Sequence, residues 1–291
     1  MTDRSSGVPT SSSPARRSTT KLALHALLFA LSLAMVYPLL WMMAGSFRSN
    51  GEILNNLSVI PDNLDPRNYV AGWNALSVSF GTFAWNSLLV SVLTVIGTVM
   101  SCSITAFAFT RLNFRGRDFW FAIMLGTLMM PQHAVLIPQY IFYLKIGWLD
   151  SYLPLIIPKF LAVDAFFIFL MVQFFRGIPR ELDEAAVMDG CGPWRIYFTI
   201  MLPLSIPVLA TTAVFSFIWT WGDFFGPLVF LNEARLYTVQ LGLRSFIDST
   251  STSDWVGLFA MSTLSLLPVF LIFLFFQRLL IEGVATTGMK R

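Results

Sequence analysis

The chain has 291 residues, of which 56% are hydrophobic and 12% charged, and its formal net charge is +3. Soluble domains carry about 25% charged residues, so this composition leaves too little polar surface to cover a globule in water. The basic residues sit in short turns between apolar stretches, with no Lys/Arg-rich run, which excludes nucleic-acid binding through a basic patch. A mean hydropathy of +0.69 suits a chain solvated by lipid.

Residues 1–21, with Ser11–Ser13 and Ser18–Thr20, read as a disordered polar tail. Residues 22–291 read as one membrane domain, all-α and polytopic. A spanning helix needs about 20 mostly apolar residues. Six stretches qualify: Leu22–Phe47, Phe83–Phe109, Phe119–Ile146, Leu153–Phe175, Ser205–Phe225 and Trp255–Ile281. The first follows Arg16, Arg17 and Lys21, as a signal peptide would. It is too long for one, and no small-residue cleavage site follows. Pro38, Pro131, Pro138 and Pro268 fall inside spans, which favours a packed bundle around a cavity over isolated anchors.

Orientation follows from Lys and Arg in the short loops. With both termini inside, Arg111, Arg115, Arg117, Arg176, Arg180 and Arg195 join the basic residues of the two ends on the cytoplasmic side. The outer side keeps a shorter set: Arg48, Arg67, Lys145, Lys159, Arg235 and Arg244. The expected topology is N-in and C-in. Two outer loops, Arg48–Thr82 and Gly226–Asp254, are long, and the first is expected to form a small cap.

Catalytic signals are lacking. No Gly-Lys-Ser or Gly-Lys-Thr occurs, so the chain has no Walker A loop. His25 and His133 stand alone, Cys102 and Cys191 are far apart, and no Gly-x-Ser-x-Gly is present. No catalytic residue and no metal site is expected. His133 reads either as a cavity-lining group or as part of a helix break beside Pro131. Ionisable residues within the spans are few: Lys159 and Asp164, near the outer end of the fourth span where both can snorkel to the interface, and Asp223, near the outer end of the fifth. That is a thin supply for an ion-coupled secondary transporter or a membrane-embedded enzyme, the two rival classes.

One dense polar feature remains, the cytoplasmic loop Arg176–Pro203. A short helix over Arg180–Asp189 is predicted. Pro179 suits its first turn, Glu181, Asp183 and Glu184 oppose the helix dipole there, and Gly190 and Gly192 stop it. Leu182, Ala185, Ala186 and Asp189 then share one face. The spacing alone leaves open whether this face docks another protein or lies against the membrane.

Glu184-Ala185-Ala186, Gly190, Ile200, Leu202 and Pro203 stand at the spacing EAA-x3-G-x9-I-x-LP. This resembles the EAA loop of permease subunits of bacterial ABC importers. Further stretches extend the resemblance over nearly the whole chain, to carbohydrate-type permeases related to the smaller membrane subunit of the maltose transporter. They are Asn86-Ser87-Leu88, Ala106–Arg111, Pro179–Gly190, Trp219–Pro227, and Gln277-Arg278 through Gly283 to Gly288-Met289-Lys290. The chain departs from the family at Gly222, where Asn is frequent, at Cys191, where Ala is usual, and at Arg291, where Gly is usual.

The resemblance implies a type I ABC importer permease fold in the bacterial inner membrane. It implies a second permease, a dimer of ATPase subunits and an extracytoplasmic solute-binding protein as partners. ATP and Mg would be used by the ATPase, with no cofactor on this chain. Glu184, Ala185, Ala186, Asp189 and Gly190 would form the coupling helix that meets the ATPase. Trp219, Trp221, Asp223 and Phe224 are the kind of residues that stack on sugar rings and bond hydroxyls, and are the candidates for the solute path.

Overall fold

A computed structural model describes residues 14–55, 64–247 and 254–288. In chain order the α-helices are α1 (Pro14–Gly45), α2 (Asn50–Asn55), α3 (Arg67–Trp73), α4 (Phe80–Arg111), α5 (Arg117–Thr127), α6 (Gln132–Lys145) and α7 (Leu153–Ile156). A 3-10 turn, Ile157–Leu161, leads to α8 (Ala165–Arg176), α9 (Glu181–Met188) and α10 (Pro193–Ile196). A π-turn, Tyr197–Met201, precedes α11 (Leu202–Leu204) and α12 (Ile206–Trp221). Then come α13 (Phe225–Phe230), a 3-10 turn Ala234–Leu236, α14 (Val239–Arg244) and α15 (Trp255–Gly288). No strand occurs among the described residues.

Helix α4 is the axis of the bundle and runs about 48 Å at the α-helical rise. Lipid gives apolar helices no reason to associate, so close packing must hold them together. Helix α4 supplies it with a stripe of small buried residues, among them Ser87, Ser91, Thr94, Gly97, Thr98, Cys102, Ser103 and Ala106. Helices α8 and α12 pack along this stripe, and α15 closes on α12. Two cores result, one at each end. Around the end of α4 lie Phe107, Phe167, Met171, Phe175, Tyr197 and Met201. Around its start lie Phe80, Phe83, Phe217, Trp221, Val239 and Met261.

Among the described residues, four helical runs are long and apolar enough to cross a membrane: Lys21–Gly45, Phe80–Arg111, Leu153–Arg176 and Trp255–Leu279. The pair Pro193–Leu204 and Ile206–Trp221, bent by 77° at Ser205, is long and apolar enough to make a fifth when counted as one span. The expected third span, Phe119–Ile146, is not one helix. It breaks into α5 and α6 at residues 128–131. Pro131 is extended (φ −66°, ψ 117°) and brings no N–H to continue the ladder. The fourth span, expected as one run, is interrupted by the 3-10 turn and by Ala162 in the left-handed region (φ 55°). Helix α1 begins at Pro14, ahead of the expected Leu22, and residues 1–13 of the expected tail lie outside the described residues.

The described parts of the two long loops pack about the start of α4. Asn86 Nδ2 donates to the carbonyls of Arg235 (2.8 Å) and Tyr237 (3.0 Å), and Ser87 Oγ accepts from the Val239 N–H (2.7 Å). In the first loop, Asn68 Nδ2 donates to the Ser46 and Arg48 carbonyls, both at 3.0 Å, which seats α3 beside the end of α1.

Asp150 joins the turn after α6 to the segment after α13. Its Oδ1 accepts from the Asn232 N–H (2.6 Å) and its Oδ2 from Asn232 Nδ2 (3.2 Å). The Asn232 N–H, and then its side-chain amide, hold the Asp150 carboxyl below its ordinary value. The native state therefore favours the charged form. Its contribution is present above the ordinary aspartate value of about 4 and is lost as pH falls through the lowered native value. We expect the thermal midpoint of the detergent-solubilised protein to fall on acidification through this range, and the fall to be shallower in Asp150→Ala. Identical profiles for the two proteins would show that the clasp contributes nothing.

Candidate functional site

The loop between α8 and α12 forms the expected short helix, α9. Glu181, Asp183 and Glu184 occupy its first turn. At its other end the Gly190 N–H donates to the Val187 carbonyl and the Cys191 N–H to the Ala186 carbonyl, both at 2.9 Å. This 5→2 and 6→1 pair is a Schellman cap. Gly190 occupies its left-handed position at φ 78°, and a Cβ there would meet nothing within 4 Å. Conformation, not space, demands glycine at this position.

Helix α9 is braced to the end of α4. Arg111 Nε lies 2.6 Å from Asp183 Oδ2, an ionic contact without hydrogen-bond alignment, and both side chains are largely buried. Arg111 Nη2 donates to the Ile178 carbonyl at 2.8 Å, and Arg180 Nη2 to the Thr110 carbonyl at 3.3 Å. Burial pushes the Asp183 carboxyl up, while Arg111 and Arg180 pull it back. Arg111 and Asp183 do not figure among the expected coupling residues. The signal available was Arg111 as the last residue of the Ala106–Arg111 stretch.

The expected coupling residues divide between two faces. Ala186, expected to share one face with Leu182, Ala185 and Asp189, is only 7% exposed and packs into the core around Phe107 and Phe175. Its single methyl lets α9 lie close to the bundle. Leu182, Glu184, Ala185 and Asp189 face outward, and Val187 and Met188 extend that surface, Met188 being 87% exposed. After Gly192 the chain is locked to α4 again. The Tyr197 and Ser103 hydroxyls are 2.7 Å apart, and the Tyr197 ring meets Phe107 at 5.3 Å. The bend into α12 follows.

The expected solute-path residues also divide. Trp221 is buried, donates from Nε1 to the Ser265 carbonyl (3.0 Å) and stacks on Phe217 at 5.5 Å. It is a core residue that ties α12 to α15. Trp219 is half-exposed and meets Phe166 at 5.3 Å and Phe167 at 5.0 Å. Asp223 lies in the break between α12 and α13, where its Oδ1 accepts from the Gly226 N–H (3.2 Å). Phe224 is half-buried beside it and meets Phe225 at 5.5 Å. Phe225 in turn meets His133 at 4.8 Å.

Residues 102–286, which include both clusters, match the family described as binding-protein-dependent transport system inner membrane component. The chain belongs to this family. It is 33% identical over 263 residues to the probable ABC transporter permease protein YurM of Bacillus subtilis (strain 168), covering 90% of this chain and 86% of that one. It is 30% identical over 262 residues to the diacetylchitobiose uptake system permease protein NgcG of Streptomyces coelicolor, with coverages of 90% and 86%. The fold matches, with a TM-score of 0.81 and 23% identity, a chain of a crystal structure of a bacterial ABC transporter that imports the acidic polysaccharide alginate. That match covers 92% of this chain and 99% of the other. The chain is therefore a carbohydrate-type ABC importer permease and a multi-pass membrane protein.

Proposed function

We propose that this permease forms, with a second permease, the path for a sugar or sugar-like solute across the bacterial inner membrane. Separate ATPase subunits, which hold ATP and Mg, drive it, and an extracytoplasmic binding protein delivers the solute. Both termini face the cytoplasm, and α9 is the coupling helix. The observation that carries this reading is the combination found at α9. Its outer face is displayed at the loop end of the bundle, its exit is fixed by Gly190, and it is braced to α4 by Arg111 and Asp183. A helix held this way moves as a rigid lever, so closure of the ATPases at one end can bias the bundle at the other. Glu184 and Asp189 face the ATPase.

The test is assembly. Purified from its native membranes, the permease should copurify with an ATPase subunit. Glu184→Lys should cut solute-stimulated ATP hydrolysis at least about tenfold, a cost of about 1.4 kcal/mol in coupling. An ion-coupled carrier would copurify with no ATPase. Unchanged stimulation in the Glu184→Lys complex would remove α9 as the coupling surface.

A further inference from the structure

Three helix breaks meet at one place in the bundle. His133 opens α6 just after Pro131, Lys159 lies in the 3-10 turn with Asp164 at the start of α8, and Asp223 lies between α12 and α13. The His133 and Phe225 rings are 4.8 Å apart. A Cβ on Gly226 would stand 3.1 Å from Leu155 Cδ2, which puts α13, just after the third break, against α7, just ahead of the second. Lys159 Nζ pairs with Asp164 Oδ1 at 2.9 Å and Oδ2 at 3.1 Å, and Thr98 Oγ1 donates to Asp164 Oδ2 at 3.3 Å. Lys159 and His133 are the basic groups within electrostatic reach of Asp223. Non-helical backbone at membrane depth is tolerated only where it is buried in protein or lines a water-filled cavity. Ionisable groups there are costly, and they mark solute paths when they persist.

We infer that these groups form a charge-selective solute site that admits uncharged polyhydroxylated solutes and rejects anionic ones. The inference rests on the solute-path reading above and adds to it the sign of the charge. One ammonium stands against two carboxylates. The site therefore carries one excess negative charge. Asp164 is engaged by Lys159 and Thr98, which leaves Asp223 as the carboxylate with free acceptor capacity toward a hydroxyl. The exposed faces of Trp219 and Phe225 provide ring surface. A phosphate or uronate in this place would face an unbalanced carboxylate in a poorly screened environment.

Thiol labelling of the assembled complex tests both the path and its charge. With Cys102→Ala and Cys191→Ala as background, Phe225→Cys and, separately, His133→Cys would be treated at pH 8 with a cationic and an anionic methanethiosulfonate. Each rate would be normalised to that of a free thiol in solution. The cationic reagent should react about tenfold faster than the anionic one, as one net charge at this range implies. Asp223→Asn should bring the ratio toward one, and Lys159→Gln should widen it. Equal rates, or a faster anionic reagent, would overturn the charge selectivity and leave the path reading standing. Failure of both thiols to react with either reagent would remove the water-filled path, and the inference with it.

Discussion

Arg111→Met should release α9 from the bundle while leaving the spans inserted. Removing one partner of a buried ion pair strands the other charge, at a cost of about 3 kcal/mol even at the low end of such effects. Here the stranded group is Asp183, and Arg111 also gives up its bond to the Ile178 carbonyl. The expected result is loss of most solute-stimulated ATP hydrolysis and rapid hydrogen exchange across residues 178–190. The pH dependence has a definite sign. Burial already raises the Asp183 carboxyl, and Arg111 is the first of the charges that oppose the rise. Without Arg111 the native value climbs further. Docking of α9 in the variant should therefore survive in acid, where Asp183 is neutral, and be lost as pH rises through that value. A second variant separates charge from fold. The ionic contact lacks hydrogen-bond alignment, so an apolar pair of similar volume should serve nearly as well. Arg111→Met with Asp183→Leu should restore exchange protection and remove the pH dependence. If the single variant couples normally at neutral pH, the brace carries no force.

What could be read in the sequence divides along a physical line. Spans announce themselves because lipid requires about 20 apolar residues whatever their neighbours do. A break inside a span does not. Leu128, Met129 and Met130 continue the apolar run up to Pro131, and a proline alone does not distinguish a kink from an end. Pro179, the acidic first turn and Gly190 located α9 to within a residue at each end, because caps and dipoles are local. Which of its residues face inward is decided by a distant partner. Ala185 and Ala186 are the same residue type, and only the arrival of α4 and α8 buries one of them. The two tryptophans of α12 separate in the same way, since Trp221 is claimed by the Ser265 carbonyl of α15 and Trp219 is not. The brace between Arg111 and Asp183 joins positions far apart in the chain, so periodicity could not pair them. The family stretches at Asn86-Ser87 and Ala106–Arg111 marked two such long-range fixtures without saying what they hold.

Substitution at Gly190 should follow backbone strain and ignore side-chain volume. The position is open, since a Cβ there would meet nothing within 4 Å, but its φ of 78° lies where L-residues are strained. An ordinary residue there costs roughly 1–2 kcal/mol, a β-branched one more, and Asn only a fraction because its side chain tolerates the left-handed region. The order of damage to stimulated ATP hydrolysis should therefore be Val above Ala above Asn, although Asn is larger than Ala. An alanine at this position would lose roughly tenfold in the population of the capped loop at the midpoint of that range. The cap is shared by two bonds, from the Gly190 and Cys191 N–H groups, so its loss frees the Val187 and Ala186 carbonyls together. Ala186 is the residue that seats α9 on the bundle, and fraying from the cap reaches it at once. The strain would thus appear as faster exchange at residues 186–191, with α4 unaffected. A series ranked by side-chain volume, with Asn worse than Ala, would mean that a neighbouring chain fills the open space at Gly190. The role of this glycine would then be contact with that chain and not the turn.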